Sequence, residues 1–305
     1  MTPDLSVDIG GLAMRTPVMM ASGTFGYGEE YEGLTDLSGL GAIVLKGITL
    51  TEWRGNRPPR ICETPAGMLN AVGLQNVGLP ALLSEKLPHL SGTDVPIIIN
   101  VNGRTVDEYV RLAEALDAVA QVAAIELNAS CPNVSHGGMH FGTDPDTLRG
   151  LTAAVRARTD KPLIVKLSPN VTDVTATAGA AVAGGADGLS LINSVLGMAV
   201  DVEKRRPRLG NITGGLTGPA IKPIAVRMVW QVARAVDVPI VGQGGIMTAQ
   251  DAVEFLLAGA SAVGIGSATF VDPTAALSVT EGIRDYMEVN GFSSIGDLNR
   301  VGESW

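Results

Sequence analysis

The chain has 305 residues, 46% of them hydrophobic and 17% charged, an ordinary composition for one large or two average globular domains. Its net charge of −9 argues against nucleic acid and anionic membrane surfaces as partners, because both repel an acidic protein. No apolar run reaches the roughly 18 residues of a spanning helix. Met1-Thr2-Pro3-Asp4 has neither the basic nor the apolar region of a signal peptide, and two cysteines are too few for a disulfide framework or an iron–sulfur site, so a cytoplasmic location is expected.

Leu5, Val7 and Ile9, then Leu12 and Met14, alternate around Gly10-Gly11, which predicts an N-terminal hairpin. Eight short apolar runs follow, at 18–21, 42–45, 96–101, 124–127, 163–166, 188–192, 240–242 and 262–265. Each is apolar on both faces, as strands of a parallel sheet covered on both sides must be. Helical patterns lie between them. In 107–120, Val110, Ala113, Leu116 and Val119 share one face. Asp144 is placed to cap a helix over 145–158, with Pro145 in its first turn. The alanine-rich stretch 174–183 stops at Gly184-Gly185, and 221–236, 249–257 and 273–289 complete the set. This alternation predicts an α/β fold, a (β/α)8 TIM barrel, with a doubly wound sheet as the alternative. No linker or change of composition interrupts it, so 1–305 is expected to be a single domain. Two connections are long: 47–95 after the second strand and 193–239 after the sixth. Insertions there fall on the C-terminal face, where barrel enzymes keep their sites.

The strand exits carry polar residues or glycine: Ala21-Ser22, Lys46-Gly47, Asn100 and Asn102, Asn128, Lys166, Asn193-Ser194, Gly244-Gly245 and Gly266-Ser267. One asparagine or glycine in such a place is ordinary turn chemistry. The two lysines differ, because each ends an apolar run and its ammonium would be desolvated without a partner; an anionic ligand would resolve that. Gly242-Gln243-Gly244-Gly245-Ile246 and Gly264-Ile265-Gly266-Ser267 follow the last two strands, where barrels build phosphate sites from backbone N–H groups. Neither has the Gly-x-Gly-x-x-Gly spacing of a dinucleotide fold, so a mononucleotide is expected. The fourth exit opens Asn128-Ala129-Ser130-Cys131-Pro132-Asn133, a thiol between two amides, followed by a glycine-rich stretch over 135–142. That pattern reads as a reactive group beneath a mobile lid. Cys62, in a polar insertion, is read as inert, and His89, His136 and His140 make no convincing metal set.

Longer and more specific pieces complete the picture. They are the opening stretch, Ala21-Ser22-Gly23-Thr24-Phe25-Gly26, Lys46-Gly47-Ile48-Thr49, Glu63-Thr64-Pro65-Ala66-Gly67-Met68-Leu69-Asn70-Ala71-Val72-Gly73-Leu74-Gln75-Asn76, and Thr213-Gly214-Gly215-Leu216-Thr217-Gly218-Pro219-Ala220-Ile221-Lys222-Pro223. With them the chain resembles the class 1 dihydroorotate dehydrogenases over essentially its whole length. It is most similar to the catalytic subunit of the NAD-dependent subclass B. The resemblance implies oxidation of (S)-dihydroorotate to orotate in pyrimidine (UMP) biosynthesis, with FMN bound in the barrel. The FMN phosphate would lie on Gly244, Gly245, Gly266 and Ser267. Its ring would be bracketed by Ala21, Ser22, Lys46, Gly47, Asn100, Asn128, Lys166, Ile192 and Gly218. Dihydroorotate would be held by Lys46, Asn70, Ala71, Val72, Gly73, Leu74, Asn128, Asn133, Asn193 and Ser194. Cys131 would be the general base for the C5 proton while a hydride leaves C6 for flavin N5, and Lys46 and Lys166 would stabilise charge on the reduced flavin.

The chain lacks a Rossmann fingerprint and four cluster cysteines. The resemblance therefore implies a partner chain with FAD and a 2Fe–2S cluster that delivers electrons to NAD⁺, in a heterotetramer of two catalytic and two electron-transfer subunits. The membrane-bound class, with a serine base and an N-terminal extension, does not match. The alternatives are a fumarate-reducing subclass A homodimer, a dihydropyrimidine dehydrogenase–like barrel and a non-catalytic scaffold barrel. Val72 and Ser267 depart from the common isoleucine and threonine without removing a needed group.

Overall fold

The runs that are apolar on both faces become strands covered on both sides. In the computed structural model, which describes residues 2–129 and 141–302, they are Val18–Met20, Ala42–Ile48, Ile97–Val101, Val122–Asn128, Leu163–Lys166, Gly188–Leu191, Ile240–Gln243 and Ala262–Ile265. All pair in parallel and in chain order, and the eighth pairs with the first at Val263↔Val18, so the sheet closes into the expected barrel. Helices Val106–Asp117, Pro145–Arg156, Val174–Ala183, Lys222–Ala233, Ala249–Leu257 and Ala275–Asn290 occupy the predicted places. The second of these begins as expected: the Asp144 side chain accepts from the Thr147 N–H and Pro145 follows it.

Inside the barrel, Met19, Val44, Ile98, Ala124, Ile164 and Val241 pack on Ile9, Leu12 and Met14 of the N-terminal hairpin. The hairpin plugs the bottom of the barrel. Its turn residue Gly10 has φ 62°, and a Cβ there would lie 2.6 Å from the Asp187 carbonyl carbon, so only glycine lets the turn seat under the sixth strand.

The two long insertions are where expected, but they do something their sequences do not reveal. They combine into one antiparallel sheet in the order Val195–Met198, Thr213–Thr217, Gly67–Asn70, Ile61–Thr64. Gly215 pairs with Asn70 and Thr217 with Met68, so the halves of the site that come from distant chain segments are held in register. A short helical stretch from Gly78 to His89, a last helix, Ile295–Gly302, a two-residue ladder of Val200–Asp201 with Arg206–Pro207 and four short 3-10 turns complete the elements among the described residues. No helix there is long and apolar enough to cross a membrane.

The helices that flank the seventh strand are tied by charge. Lys222 Nζ lies 2.6 Å from Asp251 Oδ1 and 2.9 Å from Glu254 Oε1, and Asp251 also closes a capping box with Thr248. Burial opposes ionisation of Asp251, but hydrogen bonds from Lys222, Met247 and Thr248 outweigh it and hold the carboxyl below the ordinary aspartate value of 3.8. A carboxylate depressed in this way stabilises the fold above its unfolded value, and that contribution is lost as pH falls through the folded value. Asp251→Asn should therefore cost about 1–2 kcal/mol near neutral pH, the size of a lost cap. The gap to the parent should close as the pH is taken below 3.8, which urea unfolding at neutral and acid pH would measure.

Candidate active site

Strand alternation places a polar layer directly above the apolar plug. Two residues beyond Met19, Val44, Ile98, Ala124, Ile164 and Val241, on the same inner faces, stand Ala21, Lys46, Asn100, Glu126, Lys166 and Gln243. Asn100 and Glu126 are direct partners in the sheet register, as are Asn128 and Lys166.

Glu126 is the hub of this layer. Its carboxylate is 3% exposed and accepts from Asn100 Nδ2 at 2.5 Å, Ser190 Oγ at 3.0 Å and Ser22 Oγ at 3.4 Å. Lys166 Nζ stands 3.7 Å from Glu126 Oε1 and donates to Ser22 Oγ at 3.4 Å. The expected isolation of the two ammonium groups therefore does not hold. Lys166 has its counter-ion inside the barrel, on the neighbouring strand, and Lys46 is not left without interactions either. Desolvation alone does not demand an anionic ligand here. A signal for Glu126 existed in the sequence: it is the one carboxylate in an otherwise apolar strand, and a charge in such a strand needs a partner.

From Glu126 a line of amides runs to the rim. Asn100 Oδ1 accepts from Asn102 Nδ2 at 2.8 Å and from Asn128 Nδ2 at 3.3 Å. Asn128 Oδ1 accepts from Asn193 Nδ2 at 3.5 Å, and Asn193 Oδ1 accepts from the Ser194 N–H at 2.8 Å. Asn70 reaches the same cavity from the insertion sheet and donates to the Gly215 carbonyl at 3.2 Å.

The cavity at the mouth brings together Ser22, Lys46, Gly47, Asn70, Val72, Gly73, Leu74, Asn100, Asn128, Lys166, Asn193 and Ser194. Thr24, Met68, Gln75 and Thr217, which lie in the specific motifs but carry no expected site role, join them together with Phe270. Ala71 differs from its neighbours: its methyl packs with Cys62, Leu69 and Leu209 in a small core of the insertion, where Cys62 is a buried free thiol. Cys131 and Asn133 lie outside the described residues, together with most of the glycine-rich stretch. The chain on both sides of that segment is held by Tyr109, whose hydroxyl donates to the Asn128 carbonyl at 2.9 Å and whose ring meets Phe141 edge-on at 5.8 Å.

The expected phosphate residues Gly244, Gly245, Gly266 and Ser267 do not line this cavity, and neither do Ala21, Ile192 and Gly218. Gly245 has φ 82°, and a Cβ there would lie 2.8 Å from the Gly218 carbonyl oxygen; a Cβ on Gly218 would in turn lie 2.7 Å from Gly67 Cα. The loop after the seventh strand thus packs against the insertions only because no side chains intervene. Ile192 N–H donates to the Gln243 carbonyl at 2.8 Å, and a Cβ on Gly266 would face the Ala21 methyl at 4.0 Å. Ser267 opens a short 3-10 turn beside them. The Gln243 side-chain Nε2 is buried with no hydrogen-bond partner among the described residues.

The family model for dihydroorotate dehydrogenase matches residues 4–287. The chain belongs to the dihydroorotate dehydrogenase family. It is 58% identical over 296 residues to a protein of Geotalea daltonii named dihydroorotate dehydrogenase B (NAD(+)), catalytic subunit, covering 97% of each chain. A protein of the same name from Geobacter sulfurreducens is 55% identical, again over 97% of each. Among solved structures, ligand-free DHODH from Eimeria tenella superposes with a TM-score of 0.82 at 24% identity, over 98% of this chain and 92% of that one. At that identity the likeness speaks for the fold.

Gly47 shows how tightly the polar layer is built. A Cβ there would lie 2.7 Å from Asn100 Oδ1 and closer still to the Asn102 amide. Gly47→Ala should therefore cost about 1–3 kcal/mol by overpacking, read as a lower denaturant midpoint with an unchanged slope.

Proposed function

We propose that the chain is the catalytic subunit of an NAD⁺-linked dihydroorotate dehydrogenase, oxidising (S)-dihydroorotate to orotate in pyrimidine biosynthesis. The observation that carries the reading is near-full-length identity of 58% to a relative of that name. The cavity agrees with it. Two lysines and four asparagines line it, and an amide offers both the donor and the acceptor that a ureide ring needs, while lysine suits a carboxylate.

The residues also fit FMN as the group in the barrel. Gly244 and Gly245 have φ of 126° and 82° and leave backbone N–H groups open to close approach. The unpartnered Gln243 amide adjoins them, and no dinucleotide fingerprint is present. Gly244, Gly245, Gly266 and Ser267 would hold the phosphate, and the exits from Ala21 to Lys166, with Ile192 and Gly218, would hold the ring. FMN, when bound, supplies the acceptor for the hydride that leaves C6.

The chain's own residues do the rest. Lys46, Asn70, Asn128, Asn193 and Ser194, with the backbone of 71–74 and Asn133, bind and orient dihydroorotate. Cys131 takes the proton from C5. Lys46 and Lys166 supply positive charge where negative charge gathers, which is where preorganised electrostatics lower a barrier most. The 1–305 chain acts as one catalytic domain in the cytoplasm. Its relatives' designation as catalytic subunits supports a partner; we assign to that partner FAD and a 2Fe–2S cluster, because this chain has two cysteines and no dinucleotide site. A pair of each subunit completes the assembly.

Purified chain should be yellow and release FMN on denaturation. Cys131→Ala should retain the flavin but lose about 10²–10⁴ in kcat, the usual worth of a general base. In the parent, kcat should rise with pH towards the free-thiol value of about 8.5; a flat profile from neutral to alkaline pH would remove Cys131 from the role. Co-expression with an iron–sulfur flavoprotein subunit should confer NAD⁺ reduction by dihydroorotate, whereas efficient fumarate reduction by this chain alone would point to the homodimeric subclass.

A further inference from the structure

We propose that Glu126 is a positioning residue that sets the hydrogen-bond polarity of the asparagine chain at the barrel mouth and offsets the charge of Lys166. The proposal deepens the reading of the site as one for FMN and dihydroorotate, and rests on it.

An amide can be turned either way, and a row of amides has two self-consistent directions. A carboxylate removes the choice, because it only accepts. Glu126 Oε1 takes the Asn100 N–H at 2.5 Å, which turns the Asn100 oxygen towards Asn128. Asn128 must then present its N–H to Asn100 and its oxygen to Asn193, as it does. The Ser194 backbone N–H, a fixed donor, closes the other end on Asn193 Oδ1. Acceptor at one end and donor at the other define a single direction for three side chains. Two of these, Asn128 and Asn193, are the amides assigned to the substrate ring. Glu126 lines no part of the cavity, so it acts on the ligand only through its neighbours.

The second effect is electrostatic. Lys166 lines the cavity and Glu126 sits 3.7 Å behind it, both nearly dry, so the field reaching the ligand is that of a lysine partly cancelled by a carboxylate. A buried pair of this kind is poor evidence for added stability, because well-packed apolar residues commonly do as well. Its place at this layer makes sense as control over the lysine's charge and over the amide directions.

The decisive variant is Glu126→Gln in the full, FMN-loaded chain, which keeps the shape but removes the charge and can donate as well as accept. The flavin midpoint potential should rise, since less negative charge opposes its reduction. Orotate affinity is read in Glu126→Asp instead, because in Glu126→Gln the uncovered Lys166 attracts the orotate carboxylate and opposes the loss of amide order. Glu126→Asp keeps the charge but shortens the reach; its potential should stay near the parent's while orotate affinity, by calorimetry, falls roughly ten- to a hundredfold, the worth of one charged hydrogen bond. If Glu126→Gln lowers only the melting temperature and leaves the potential at its parental value, the residue is merely structural and the proposal is wrong. Should that variant not fold, an unchanged orotate affinity in Glu126→Asp overturns it equally. Failure of the underlying reading looks different: the parent itself would purify without FMN or would not bind orotate.

Discussion

A carboxylate and an ammonium lie 3.7 Å apart inside a barrel whose next layer down is apolar. Neither tolerates that environment alone; an unpaired buried ion costs several kcal/mol. Their pairing offsets part of the cost of placing charge in the barrel interior. Once Glu126 and Lys166 are there, the remaining lone pairs and N–H groups must be filled, and Asn100, Ser22 and Ser190 fill them. The rim amides then inherit their directions. The site is thus polar downward to one layer and dry beneath it, with the hairpin closing the bottom.

The second constraint is the joint sheet built by the two insertions. Asn70 and Gly215 are 145 positions apart, yet the Asn70 amide donates to the Gly215 carbonyl in a paired register. This sheet carries Asn70, Met68 and Thr217 to the cavity from one side, while the barrel supplies the lysines and the other asparagines. Glycines at 67, 218 and 245 meet where the sheet approaches the loop after the seventh strand, and none has room for a side chain. Barrel, sheet and loop are therefore mutually positioned by backbone contact, which is stiffer than contact through long side chains.

Much of this was legible in the chain. The eight double-faced apolar runs announced a parallel barrel, and the polar exits announced a polar rim at its mouth, because period-two alternation and burial leave few other solutions. Twelve expected site residues do line one cavity. What was misread was the charge state of the neighbourhood. Lys166 looked isolated because a linear pattern does not show that Glu126, forty positions earlier, lies on the adjoining strand and faces the same way. Ala71 sits in the chain among cavity residues, yet its side chain turns into a local core, since alternation within a strand end and turn depends on a register that only pairing fixes.

The sequence by itself determined the barrel, the hairpin at its base, the places of the insertions and the family, because these follow from local periodicity and from long specific motifs. Tertiary structure alone decided that the insertions share a sheet, that Glu126 answers Lys166, and that three asparagines form one directed chain. Each of those depends on which faces of distant strands meet, and distance along the chain carries no information about that.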